Sequence, residues 1–254
     1  MFTPLPDPLR PATVGSVVLG PSPTKVLASL MPADTEELLD EADKFAAAPV
    51  DIFEWRADYF QTLTHATLIS AGAALQGNTA KPVLWTLRTD REGGLFTGDD
   101  EKYLETVDYI AKIGLFDAMD IELERGDVAP IVEAAHKTDT TVVMSYHNFE
   151  LTPAIDTIMD KFEKMAACGA DVLKIALMPT TPEDVLTLMQ ATLLARRTYE
   201  VPILSMSMGA AGQATRILGS LYGSCATFAS LAKASAPGQL SAQTLSEYLK
   251  TFAV

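Results

Sequence analysis

The chain has 254 residues, 48% hydrophobic and 20% charged, so it can bury a sizeable core and is neither disordered nor of low complexity. Its 19 basic and 33 acidic residues give a net charge of −14, which argues against nucleic acid or an anionic membrane as partner, since both reward clustered Lys and Arg. No apolar run approaches the roughly 20 residues of a membrane span, and the proline-rich Met1–Arg10 lacks the apolar stretch of a secretory signal, so a soluble protein is expected.

In chain order, Thr13–Leu19 with Pro21-Ser22-Pro23 reads as a strand and turn that stand apart from the rest of the chain. Short Val-, Ile- and Leu-rich segments then recur at Val26–Met31, Ile52–Asp58, Pro82–Arg88, Ala118–Glu124, Thr141–His147, Val172–Met178, Pro202–Met208 and Cys225–Ser230. Between them lie amphipathic stretches such as Thr35–Ala48, Asp100–Gly114, Ala154–Gly169 and Pro182–Tyr199, with apolar residues at helical spacing (Leu38, Leu39, Ala42, Phe45). Asp34, and Thr181 ahead of Pro182-Glu183-Asp184, are helix-start signals, and Gly114 and Gly169 stand where helices should end. Strict strand–helix alternation demands parallel strands with helices outside. Eight units in this length fit a closed (β/α)8 TIM barrel better than an open doubly wound sheet, and no GxGxxG comes after the first strand. The expectation is one barrel domain over 1–254, with an N-terminal extension and hairpin over about 1–24 closing the bottom.

In such a barrel, functional groups stand at the C-terminal ends of strands. Those ends are rich in polar residues: Glu54-Trp55-Arg56-Ala57-Asp58, Arg88 leading into Glu92-Gly93-Gly94, then Asp120, Glu122 and Glu124 at alternate positions, and Ser145-Tyr146-His147. Lys174 alone among the lysines lies inside an apolar strand. Alternation turns it inward with Ala176 and Met178, while Leu173, Ile175 and Leu177 face the helices. A buried ammonium must be paired or have a lowered pKa. It is therefore either half of an ion pair with Asp120 or Glu122, or an amine nucleophile that forms imines with ketones.

His147 ends a strand, whereas His65 and His136 fall on helical segments. Alone it reads equally as a hydrogen-bonded rim residue or as a base. Beside Lys174 it completes a pair: an iminium former and a group able to remove the adjacent proton. Glu92 is either a solvated loop acid or the group that orients that imidazole. Arg56 and Arg88 end neighbouring strands, and Arg56 has Glu54 and Asp58 as possible ion partners. Arg216 comes after Met208-Gly209-Ala210-Ala211-Gly212, a loop able to bind an anion. A phosphate there suggests a sugar-phosphate aldolase, a carboxylate a small keto acid. Ser235-Ala236-Pro237-Gly238-Gln239 is a lid or a plain connection. Cys168 and Cys225 form no CxxC and read as small buried hydrophobes in a reducing compartment. No spacing of His, Cys or carboxylates suggests a metal site.

Together these motifs resemble the type I 3-dehydroquinate dehydratases. The ordered set is Glu54-Trp55-Arg56, Thr86-Leu87-Arg88 with Glu92-Gly93-Gly94, Asp120-Ile121-Glu122, Ser145-Tyr146-His147, Lys174-Ile175-Ala176 with Met178-Pro179, Met206-Ser207-Met208-Gly209, Thr215-Arg216 and Ser235–Gln239. It covers essentially the whole chain. Tyr146 and Thr215 stand where relatives often carry Asn and Ser.

The resemblance implies an imine between Lys174 and the C3 ketone of 3-dehydroquinate, His147 as general acid and base, and Glu92 positioning His147. It implies that Arg216 binds the carboxylate with Ser235 and Gln239 over it, that Glu54, Arg56 and Arg88 hold the ring hydroxyls, and that Ser29 and Met206 line the wall. It further implies no metal or cofactor, a cytoplasmic homodimer, and a step shared by the shikimate pathway of aromatic biosynthesis and quinate breakdown. Two alternatives remain at this level. A class I aldolase-like enzyme would share Lys174 and an anion site, and a non-catalytic ligand-sensing barrel should have lost Lys174 or His147.

Overall fold

A computed structural model describes residues 5–252; the first four and last two residues of the expected domain lie outside them. The elements run β1 (Ala12–Val14), β2 (Val17–Leu19), β3 (Lys25–Leu30), α1 (Thr35–Lys44), β4 (Ile52–Arg56), α2 (His65–Asn78), β5 (Val83–Thr86), α3 (Asp100–Ile113), β6 (Ala118–Glu122) and α4 (Ala129–His136). They continue β7 (Thr141–Asn148), α5 (Ile155–Ala167), β8 (Val172–Leu177), α6 (Pro182–Thr198), β9 (Ile203–Ser207), α7 (Gln213–Leu218), β10 (Ala226–Ala229) and α8 (Ala242–Thr251).

β3 to β10 form one parallel sheet in the order β10-β3-β4-β5-β6-β7-β8-β9. The seam between β9 and β10 is short. The Cys225 N–H donates to the Ile203 carbonyl at 2.8 Å, and the Ser205 N–H donates to Ser224 Oγ at 3.1 Å, a side chain standing in for a ladder carbonyl. The eight expected strands and the barrel are therefore present. β1 and β2 pair antiparallel, and Val14 and Leu19 pack with Leu27, Leu84, Ala118 and Val172 inside the barrel. This hairpin covers the end at which the strands begin.

The period-two reading of β8 holds: Ala176 and Met178 belong to the interior cluster, whereas Leu173, Ile175 and Leu177 pack under the helices with Trp55 and Trp85. Helix signals also hold. The Asp34 side chain accepts from the Glu37 N–H, and Thr181 with Asp184 forms a reciprocal capping box at the start of α6.

Several boundaries are tighter than the apolar runs suggested. β5 ends at Thr86 rather than Arg88, and α1 ends at Lys44 rather than Ala48. β6 ends at Glu122, so the alternation that put Glu124 on the face of Asp120 and Glu122 stops short of it. Glu124 lies in the turn after β6, exposed and paired with Lys161. An apolar run sets which residues are buried, but pairing with the neighbouring strand sets where a strand ends.

Candidate active site

Strand register stacks the site in layers. Glu122, Ser145 and Lys174 lie side by side on β6, β7 and β8 at one level of the barrel. His147, Ala176 and Met206 form the next level toward the C-terminal ends of the strands. Ser29 stands opposite Glu54 across β3 and β4. Because inward positions recur every second residue, polar residues spaced by two on neighbouring strands must meet in the barrel mouth.

There they meet as a charged cluster. Lys174 is 3% exposed, and its Nζ lies 2.8 Å from Asp120 Oδ2, 3.8 Å from Glu54 Oε1 and 4.6 Å from the centre of the Phe228 ring. The ion pair expected as one reading of Lys174 is thus formed, with Asp120. Burial pushes the Asp120 carboxyl up, but Arg88 and Lys174 outweigh it and hold the group well below the usual carboxylate range. Arg88 is fully engaged: Nη2 lies 2.6 Å from Asp120, and Nη1 donates to Glu122 at 3.0 Å and to Ser145 Oγ at 2.9 Å.

Glu92 is placed by the turn after β5. An added Cβ on Gly94 would fall 2.1 Å from the Arg88 carbonyl oxygen, so the turn requires glycine there to double back. Glu92 Oε2 then accepts from the His147 backbone N–H at 3.0 Å and lies 2.8 Å from His147 Nδ1. Burial, with Arg88 and Lys174 nearby, holds the His147 imidazole well below its ordinary value, so the ring rests neutral. Burial and the neighbouring Glu122 push Glu92 the other way, up to about 8, against Arg88 and Arg125.

The arginines divide into two kinds. Arg56 is gripped by Asp58 through Nε (2.8 Å) and Nη2 (2.7 Å), which realises the ion pair expected from its neighbours. Arg216 is 1% exposed and meets only the Met206 sulfur (3.3 Å) and the carbonyls of Phe228 (3.5 Å) and Pro237 (3.2 Å). No carboxylate pairs with it among the described residues, its Nε has no partner, and burial alone draws its pKa down to about 10. A guanidinium buried without a counter-ion is a strong anion site, because an incoming carboxylate restores the interactions that burial removed.

Over it lies the 235–239 loop. The Ser235 N–H donates to Gln239 Oε1 (2.8 Å), Gln239 Nε2 donates to Ser235 Oγ (2.9 Å), and Ser235 Oγ lies 2.8 Å from Ser29 Oγ, whose own proton goes to Glu54.

One pocket is lined by Glu54, Arg56, Arg88, Glu92, His147, Lys174, Met206, Arg216, Ser235 and Gln239 together. Of the residues singled out from the sequence, Ser29 stands just behind the wall, through its bonds to Glu54 and Ser235. The pocket also includes Gly93, Phe149, Ala176, Met208, Phe228 and Ala236, and Arg125 braces Glu92 from behind. The aromatic and Met side chains carry no sequence signal that separates a pocket wall from core. A second cavity, about 640 Å³, opens at the opposite end of the barrel around Val26, Asp51, Arg196 and Cys225, and shares none of these residues. Cys168 and Cys225 are free thiols.

The model of the type I 3-dehydroquinase family matches residues 26–254. The 3-dehydroquinate dehydratase of Salmonella agona strain SL483 is 40% identical over 242 residues, covering 93% of this chain and 96% of that relative. That of Salmonella paratyphi B is 41% identical over 248 residues, with the same coverage of 93% and 96%. Among solved structures, the type I 3-dehydroquinate dehydratase of Clostridium difficile with covalently modified comenic acid superposes at TM-score 0.90 with 32% identity, over 95% of this chain and 97% of that one. The 3-dehydroquinate dehydratase of Geobacillus kaustophilus HTA426 also superposes at 0.90, with 31% identity over 97% and 100%. By its barrel, its pocket and this likeness along nearly its whole length, the chain belongs to the type I 3-dehydroquinase family.

Proposed function

We propose that this chain dehydrates 3-dehydroquinate to 3-dehydroshikimate, a hydro-lyase reaction, through an imine on Lys174. The observation that carries the reading is one lysine buried in a strand interior, opening on a pocket that also holds a neutral, carboxylate-oriented histidine and an unpaired guanidinium.

Arg216 takes the substrate carboxylate, and Ser235 and Gln239 cover it. Glu54, Arg56 and Arg88 face the ring hydroxyls. Asp120 anchors the Lys174 Nζ, which attacks the C3 carbonyl; two of the three ammonium protons pass to the carbonyl oxygen, which departs as water and leaves an iminium. His147 Nε2 removes a C2 proton, and the electron pair moves into an enamine, with the iminium as sink in the place a metal or cofactor would fill. The enamine expels the C1 hydroxyl, which takes the proton from His147 and departs as water. Hydrolysis of the conjugated iminium returns the amine, so the net loss is one water. We further propose that the chain works as one barrel domain, as a homodimer, in the cytoplasm. The free thiols accord with a reducing compartment, and the family resemblance supports the pair. Among the described residues no helix is long and apolar enough to cross a membrane.

The test is borohydride reduction in the presence of 3-dehydroquinate, then peptide mass mapping, with product read as the new ultraviolet absorbance of the conjugated enone. The expected result is turnover and a single adduct on Lys174. An adduct elsewhere, or turnover undiminished in Lys174→Ala, overturns the imine.

A further inference from the structure

The turn after β6 holds an arginine that hydrophobic periodicity does not single out. Arg125 is 4% exposed although it sits in a turn, which marks a side chain held inward by specific partners. Its guanidinium touches carboxylates from three separate segments. Nε lies 2.9 Å from Glu122 Oε2, Nη2 lies 3.5 Å from Glu92 Oε1, and Nη1 donates to Asp100 Oδ1 at 3.3 Å. Asp100 is the first residue of α3, and its side chain is 44% exposed.

The charged groups around Glu92 are few. From the segment after β5 comes Arg88, with Nη1 3.7 Å from Glu92 Oε2; from β6 come Asp120 and Glu122; from β7 comes His147; from the β6–α4 turn comes Arg125, backed by Asp100. Arg88 is already shared between Asp120 and Glu122. The two oxygens of Glu92 also differ. Oε2 has both His147 donors, whereas Oε1 has no hydrogen bond among the described residues and has Arg125 beside it.

We infer that Arg125 is a positioning residue for the base: its charge favours the ionised form of Glu92, with Oε1 drawn toward the guanidinium and Oε2 turned to His147. The inference rests on the reading of His147 as the general base. An ionised Glu92 stabilises the imidazolium that forms when His147 takes the substrate proton; a neutral Glu92 does not. Without Arg125, Glu92 and Glu122 face each other across one overcommitted guanidinium. Like charges so placed cannot both stay ionised cheaply, and Glu92, already pushed up to about 8 by burial and Glu122, is the one that holds its proton to still higher pH. The sign is fixed: loss of this cation raises the pH at which Glu92 ionises.

The experiment compares wild type with Arg125→Gln and Arg125→Lys. Turnover of 3-dehydroquinate is followed against pH, and the His147 Nδ1 proton is followed by NMR without substrate. In Arg125→Gln, kcat at pH 7 should fall about 10-fold with KM nearly unchanged, and the acid limb should move up by about one pH unit, the lower end of the effect of one adjacent charge. The chemical-shift midpoint of the Nδ1 proton should move with it. Arg125→Lys keeps the charge and should return both toward wild type. A merely structural role lowers activity evenly across pH and leaves the limb and the midpoint in place; that result overturns the inference.

If Arg125→Gln does not fold, Asp100→Asn tests the same linkage from the exposed end. It frees Arg125 of a competing carboxylate and should move limb and midpoint to lower pH, so an unmoved pair there overturns the inference too. A wild type that does not turn over 3-dehydroquinate sinks the functional reading, while the NMR midpoint still decides the role of Arg125.

Discussion

His147 gives both its backbone N–H (3.0 Å) and its Nδ1 (2.8 Å) to a single oxygen of Glu92. An oxygen that already accepts from an amide is an acceptor, so the ring proton resides on Nδ1 and the lone pair of Nε2 is free. That is the tautomer a base needs. Glu92→Gln keeps the shape of this contact but removes the charge that steadies the imidazolium and offers an amide N–H that can face Nδ1. The expected outcome is a fall in kcat of roughly 100-fold or more with KM little changed. Steady-state kinetics check this, and an unaltered kcat would remove Glu92 from the mechanism.

The acid side of the kcat/KM profile carries a second prediction. Because His147 rests neutral well below its ordinary range, it does not set the limb at neutral pH. Glu92 is pushed up to about 8 by burial and Glu122, so the limb it governs should lie far above ordinary carboxylates, with activity rising as pH rises toward 8. The residual activity of Glu92→Gln should lack that limb. Persistence of the same limb in the variant would assign it to another group.

Asp120 gives a stability prediction with the opposite sense of shift. Its carboxyl is held well below the usual range, since Arg88 and Lys174 outweigh its burial. A depressed folded pKa contributes stability that is present above the unfolded value, about 3.9, and is lost as pH falls below it. Asp120→Asn leaves Lys174 and Arg88 short of a counter-ion and should cost about 3 kcal/mol at pH 7. The gap in melting temperature between wild type and variant should be full from pH 5 to 7 and close below pH 4. A gap that is the same at pH 3 and pH 7 would show that the pair does not contribute through charge.

Strand count, strand order and the inward direction of Lys174 were legible because each stems from a short-range period, and period two on a parallel strand leaves one geometry. The polar residues at strand ends were legible as a cluster for the same reason. The partners were not. Arg56 could be assigned to Glu54 or Asp58 on sequence alone, and only the 3-10 turn at Ala57–Tyr59 brings the Asp58 carboxylate round to chelate it. Arg125 and Glu124 stand in one turn, one buried and one exposed, and no periodicity separates them. Phe149, Met208 and Phe228 line the pocket with side chains that would serve equally well in the core.

Arg216 tests the anion site directly. The guanidinium has no counter-ion among the described residues, so binding a carboxylate gains a charge-assisted pair without breaking one. Arg216→Met keeps the volume and removes the charge. KM should rise on the order of 100-fold, with kcat less affected, and the folded protein should lose little stability because an isolated buried charge has been removed. A KM within about threefold of wild type would place the carboxylate elsewhere.

Gly238 ties the cover loop to the anion site. Its φ is +79°, and an added Cβ would stand 2.1 Å from the Gly209 carbonyl oxygen, while the Gly209 N–H donates to the Pro237 carbonyl at 3.1 Å. Two loops therefore lock backbone to backbone over Arg216, and the lock has no room for a side chain. Gly238→Ala meets the left-handed penalty of about 1 to 2 kcal/mol and a clash with backbone, which cannot swing aside as a flexible side chain would. The least costly relief is for the 235–239 loop to lift, since it is a half-buried surface connection outside the barrel core, which its displacement leaves intact. Lifting it withdraws Ser235 and Gln239 from the carboxylate and frees Ser29 from Ser235, but moves neither Lys174 nor His147. The expected signature is a KM raised about 10-fold, kcat within about threefold, and a melting temperature nearly that of wild type. A variant that instead loses kcat with KM unchanged would mean that the loop acts on the chemical step and not on capture of the substrate.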